Sequence, residues 1–179
     1  MNPGTGVARA QRVFVALWPT PAVREHLCNV TSRLAADAPT ARIMPASNLH
    51  LTLAFIGSLA ENRTAALAQR LIACSTTEFD WVLDHVGHFA RAHVVWVGGP
   101  QTPKLLALAA RVRELLDKLA VPYDRKPFAP HVTLLRDVAR WPAKVAPIKP
   151  EIVWPCEQPT LIRSEHRAEG VVYVPFGVQ

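Results

Sequence analysis

A chain of 179 residues, half of them hydrophobic, can bury a substantial core, which excludes a disordered chain and fits one compact domain or two closely packed lobes. No apolar run approaches the roughly 18 residues that cross a bilayer, and the polar, Gly- and Pro-containing segment Met1–Ala10 does not suit a signal peptide. The expectation is therefore a cytoplasmic monomer with a loose N-terminus over residues 1–10 and a single domain over residues 11–179. Cys28, Cys74 and Cys156 are too separated for a disulfide framework or a zinc ribbon, and a formal charge of +6 favours an anionic partner such as nucleic acid or phosphate.

The first predicted element is an interior strand over Arg12–Trp18, stopped by Pro19. Val23, Leu27, Val30 and Leu34 then recur at spacings of three and four, which predicts an amphipathic helix over Pro21–Ala36. Leu49–Ile56 reads as a strand closed by Gly57, and Glu61–Cys74 as a helix with Leu67, Leu71 and Ile72 on its apolar face. Strands follow at Phe79–Val86 and His93–Val97, then a turn at Gly98-Gly99-Pro100 and a helix over about Pro103–Leu119. The prolines of Pro127–Pro130 force an extended approach to a strand over His131–Leu135, and Pro147–Val153, Thr160–Ser164 and Val171–Phe176 complete the strands.

Each half of the chain holds one strand with the pattern His-x-Thr-Leu: His50-Leu51-Thr52-Leu53 and His131-Val132-Thr133-Leu134. In a strand, residues i and i+2 share a face. Leu51, Leu53, Val132 and Leu134 therefore point to the core, while His and Thr of each pair face the other way together. A polar set of this kind is costly unless its groups bond one another, water or a ligand, and a solvated cleft between two lobes accounts for it. Two imidazoles across a cleft supply what phosphodiester cleavage needs: one removes a proton from the attacking oxygen and the other protonates the departing one. The threonine hydroxyls can donate to the non-bridging phosphate oxygens. This scheme calls for no metal and no cofactor.

These segments carry a resemblance to a known family. The strand Arg12–Leu17, the run from Asn48 through His50 and Thr52 to Gly57, and the run from Lys126 through His131 and Thr133 to Arg136 resemble the two-histidine phosphoesterases, and within them the LigT-type RNA 2',3'-cyclic phosphodiesterases. The resemblance implies an α+β fold of two pseudo-symmetric lobes, each an antiparallel sheet packed with helices, around a central active-site cleft. It implies hydrolysis of 2',3'-cyclic phosphodiester ends of RNA to 2'-phosphomonoesters, with His50 as proton donor to the leaving 3'-oxygen and His131 as acceptor from water. Thr52 and Thr133 are then phosphate contacts, Arg136 a further phosphate ligand and Phe14 a stacking surface for the terminal base. Strand periodicity opposes Arg136, because five residues from His131 is the wrong parity unless the strand bends near Leu135.

Other constellations have plainer readings. Asp84, His85, His88 and His93 straddle a strand and a turn and read as solvent-facing alternation more readily than as a metal site, and His166 is expected at a hairpin bend. Arg42, Arg125 and Lys126 flank the two motifs as candidate backbone-phosphate contacts. Trp18, Trp141 and Trp154 each precede a proline and are expected to pack on it. Two rival functions remain at this point: a phosphoesterase for a small cyclic nucleotide, and a non-catalytic RNA-binding module using the same cleft.

Overall fold

The computed structural model describes residues 9–142, 145–168 and 170–176, so all but the last two positions of the expected loose N-terminus lie outside it. Strand β1 (Ala10–Leu17) leads to helix α1 (Pro21–Ala35), a two-residue strand β2 (Arg42–Ile43), β3 (Leu51–Ala60) and α2 (Glu61–Leu71). β4 (Phe79–Phe89), β5 (Val94–Gly98), α3 (Pro103–Lys118) and β6 (Val132–Arg136) follow, then β7 (Val145–Cys156), β8 (Thr160–Arg167) and β9 (Gly170–Pro175). The strands form one nine-stranded sheet in the order β7-β4-β5-β6-β3-β1-β8-β9, with β2 on β6. Every ladder is antiparallel.

The fold is α+β with two pseudo-symmetric halves. β1-α1-β3 in one half matches β5-α3-β6 in the other. Both helices open on a Thr-Pro step: Thr20 Oγ1 accepts from Val23 N at 3.3 Å, Thr102 Oγ1 accepts from Leu105 N at 3.3 Å, and a proline follows each cap where no N–H is needed. The helices are exchanged between halves. α1 follows β1 but packs beneath β6 and β7, whereas α3 follows β5 and packs beneath β3, with α2 against β1, β3 and β8. One continuous core results, running from Val13, Leu27 and Leu51 to Leu108, Val112 and Trp154.

The halves meet where β3 and β6 begin. Their ladder is one pair, Leu51 with Val132, after which β3 runs one way and β6 the other. β2, which precedes β3 in the chain, covers the freed edge of β6 by pairing Ile43 with Leu135 and Arg42 with Arg136.

Several boundaries differ from expectation for physical reasons. Gly57 does not end its strand: it adopts φ 86° and carries β3 on to Ala60 past a bulge in the ladder with β1. β4 runs to Phe89 because β5 and β7 both pair with its second half. His166 lies within β8, paired with Val171, and the bend comes after Arg167. Ile72 is exposed, since the α-helix gives way there to a 3-10 turn that rotates it off the apolar face.

Leu108, fully buried on α3, tests the exchange. Leu108→Ala is expected to cost about 2–5 kcal/mol and to shift a single urea unfolding transition to lower denaturant. Two separated transitions would mean that the halves fold independently.

Candidate active site

His50, Thr52, His131, Thr133, Arg136 and Phe14 all line one cleft of about 230 Å³ on the sheet face opposite the helices. The Leu51–Val132 pair explains how the first four meet. Carrying that antiparallel register one residue to either side sets His50 opposite Thr133 and Thr52 opposite His131, so the two motifs form a square around the start of both strands.

Each imidazole is anchored in the same way. His50 Nδ1 lies 2.7 Å from the Asn48 carbonyl oxygen, and His131 Nδ1 lies 2.7 Å from that of Ala129. A carbonyl only accepts, so both Nδ1 atoms carry the proton and both neutral rings present an unprotonated Nε2. The Thr52 hydroxyl can donate to His50 Nε2 at 3.0 Å. Asn48 is itself held: it is 4% exposed, donates from Nδ2 to the Val171 carbonyl at 2.7 Å and accepts the Tyr173 N–H at 3.0 Å. The last strand thereby fixes the approach to His50.

Aromatic rings enclose both histidines, unequally. Phe14, Tyr173 and Trp18 surround His50 at centroid distances of 4.7, 5.1 and 6.1 Å. Phe89 and Trp96 flank His131 at 4.9 and 6.2 Å. Burial lowers the pKa of His50 to about 4, with the Asn48 carbonyl opposing and the positive fields of His131 and Arg136 adding to the drop. Burial also lowers His131, against the pull of the Ala129 carbonyl and helped by Arg136. Phe14 is only 4% exposed, wedged between His50 and Tyr173, so the imidazole occupies the ring face expected to receive a base.

Arg136 reaches the cleft through a bulge. β6 pairs Leu135 with Val95 but Thr133 with Trp96, which leaves Leu134 as an extra residue. Leu134 and Leu135 are both buried, the alternation inverts, and Arg136 returns to the face of His131 and Thr133. The same inversion occurs in β3, where Ala54 pairs with Val15 but Thr52 with Ala16, and Leu53 is the extra residue. Phe55 therefore occupies the cleft position that Arg136 holds in the other half. It is 38% exposed, with the Arg12 guanidinium over its ring at 5.0 Å. The sequence reading missed Phe55, Arg12, Trp18 and Tyr173. For Phe55 a signal existed, since it follows His50 by five residues as Arg136 follows His131.

The other candidates are engaged elsewhere. Arg42 pairs with Asp137, Arg125 with Asp117 and Lys126 with Asp124. His85 pairs with Asp84, and His88 Nε2 donates to the Val138 carbonyl at 2.8 Å. Among the described residues no three His, Cys, Asp or Glu side chains gather as a metal site. Trp154 packs on Trp81, and Trp18 faces His50 in addition to lying beneath Arg24.

Two predictions follow from the site's physics. A His50 that titrates near 6.5 unfolded and near 4 folded means that the unfolded chain binds more protons between those values, so stability rises with pH across that window and about 3 kcal/mol is lost as the pH is lowered from 6.5 to 4. His50→Gln is expected to flatten the drop in urea midpoint between pH 6.5 and 4; an unchanged slope would place the linkage elsewhere. Gly87 has no side chain because Trp96 lies on it: a Cβ there would come within 2.2 Å of the indole Cζ2. Gly87→Ala is expected to displace Trp96 toward His131 and reduce turnover about 10- to 100-fold, read against an unchanged circular dichroism spectrum.

Comparison with known proteins places this geometry among relatives. The model of the 2'-5' RNA ligase superfamily matches residues 19–168. The chain is 34% identical over 135 residues to the RNA 2',3'-cyclic phosphodiesterase of Escherichia coli, covering 74% of this chain and 76% of that protein. It is 34% identical over 173 residues to that of Thermus thermophilus, covering 90% and 86%. The crystal structure of E. coli LigT complexed with 3'-AMP superposes with a TM-score of 0.80 at 29% identity, over 94% of this chain and 96% of that one.

Proposed function

The chain belongs to the 2'-5' RNA ligase superfamily, and from that premise we propose that it is a phosphodiesterase hydrolysing 2',3'-cyclic phosphate ends of RNA to 2'-phosphomonoesters. The observation that carries this reading is the pair of imidazoles facing one cleft, each with Nδ1 tied to a backbone carbonyl and Nε2 available for proton transfer. The names of the relatives from E. coli and T. thermophilus support the substrate class. The enzyme acts as a cytoplasmic monomer on RNA ends.

Water attacks phosphorus in line with the bond to O3'. One histidine takes the water proton at Nε2, the P–O3' bond breaks, and the other histidine delivers a proton to O3', leaving the phosphate on O2'. Thr52, Thr133 and the Arg136 guanidinium donate to the non-bridging oxygens, where charge builds in the transition state. Phe55, backed by Arg12, offers a face on which the terminal base stacks, and Phe14 supports the His50 ring from behind.

The family resemblance makes His50 the donor and His131 the acceptor. In the unliganded protein burial lowers both histidines, His50 the further, which opposes the charging of His50 that a donor needs. The two fit together when an anionic phosphate bound beside Nε2 raises His50.

A bell-shaped kcat/KM profile is expected, with its maximum between about 4 and 6.5 because both histidines lie below their ordinary value in the free protein. The kcat profile, reporting the complex, is displaced to higher pH. An oligoribonucleotide ending in a 2',3'-cyclic phosphate, incubated in excess chelator, is expected to yield a 2'-phosphate, and His50→Ala or His131→Ala to lower the rate at least about 100-fold. Binding without turnover by the intact protein would favour the RNA-binding module, and full activity of both variants would refute the two-histidine mechanism.

A further inference from the structure

The histidine cleft does not close at Arg12. β1 and β8 are paired from Ala16–Thr160 to Arg12–Ser164, and there their ladder stops, although β1 begins at Ala10 and β8 continues to Arg167. The strands splay beyond that rung. A cavity of about 620 Å³ occupies the splay, and Arg12 and Ser164 line both this cavity and the cleft. The cleft, at about 230 Å³, is smaller than the roughly 300–1,000 Å³ typical of a ligand pocket, so a ligand longer than one nucleotide must leave it, and this is the wider way out.

The walls of the second cavity have unmet polar capacity. Arg163 Nε and Gln11 Oε1 are both buried without a hydrogen-bond partner, a donor and an acceptor in one place. Burying such atoms unpaired is costly. Both side chains are themselves only partly buried, so a turn of either into the cavity lets a phosphodiester accept from Arg163 and a ribose hydroxyl donate to Gln11. Arg9 and Arg12 add positive charge, and neither pairs with a carboxylate among the described residues. Glu165 holds the Arg163 guanidinium from one side while also paired to Arg167, which orients it. The groove on the opposite side of the cleft is less suited to a phosphate: its Lys126 is paired with Asp124, and its Arg113 donates to the Lys126 carbonyl at 3.0 Å.

We propose that the β1–β8 splay is a second subsite that binds the first internucleotide phosphate, and its adjoining ribose, on the 5' side of the cyclic end, through Arg163 and Gln11 with Arg12 at the junction. The inference rests on the function proposed above and makes the enzyme one for RNA strands in preference to free cyclic nucleotides. The rung at Arg12 is the point where the substrate chain passes from one chamber to the other. Phosphate contact there is independent of sequence, so the subsite selects for a chain and not for a base.

The test compares a nucleoside 2',3'-cyclic phosphate with a dinucleotide ending in the same group, using the intact protein, Arg163→Ala and Gln11→Ala. The intact protein is expected to favour the dinucleotide by at least tenfold in kcat/KM, mainly through KM, with a steeper salt dependence than for the mononucleotide. Arg163→Ala should abolish most of that preference and the extra salt dependence, and Gln11→Ala should reduce the preference, with mononucleotide hydrolysis within about twofold of the intact protein for both. Equal kcat/KM for the two substrates in the intact protein, or an equal loss on both in the variants, overturns the subsite while leaving the hydrolytic reading intact. Absence of turnover on either substrate overturns the hydrolytic reading and this inference with it.

Discussion

The cleft depends on one backbone pair. Leu51 and Val132 are the only residues through which β3 and β6 are laddered, yet that contact determines which side chains oppose one another across the seam. With core residues at both positions of the pair, the residues on either side must face away from the core. Two histidines and two threonines are thereby brought onto one surface by a backbone pair, with no side-chain hydrogen bond between the two motifs among the described residues. Longer pairing would have closed the surface into continuous sheet; with no pairing the relative height of the imidazoles would have been unspecified. The exchanged helices supply the stiffness that one pair cannot, because α1 and α3 each join the strands of one half to the underside of the other.

Symmetry of backbone coexists with asymmetry of environment. Both imidazoles are anchored at Nδ1 by the carbonyl two residues earlier, at the same distance. Three aromatic rings surround one and two flank the other, and β9 reaches only the first, through Asn48 and Tyr173. Two groups of identical chemistry are thus given different proton affinities by what encloses them. An acid/base pair needs that difference, since two equal histidines would spend much of their time both charged or both neutral.

Periodicity and motif spacing made most of the fold legible: the strand around Phe14, the helix bearing Val23, Leu27 and Val30 and the helix after Pro103 appear where the sequence places them, and the strands of Thr52 and Thr133 each begin one residue after the histidine that was expected within them. What it hid was register. Arg136 has the wrong parity by counting, and only the bulge at Leu134 restores it. Phe55 escaped for the same reason. Trp18 and Tyr173 escaped because an aromatic residue in or beside an apolar strand looks the same whether it packs on leucine or on an imidazole. Hydrogen bonds over long sequence separation, such as Asn48 to Val171, leave no local pattern at all.

The paired bulges give chain length a chemical meaning. In both halves the residue five places after the histidine is returned to the cleft by one supernumerary leucine, Leu53 or Leu134. Removing either leucine would delete no side chain that lines the cleft, yet it would turn an arginine or a phenylalanine through half a revolution and bury it against the helices. Conversely, the identity of the leucine matters less than its being counted. When divergent chains of this architecture are aligned, a one-residue gap between the threonine and the fifth position therefore takes the fifth side chain off the cleft face, although every motif residue is still in place.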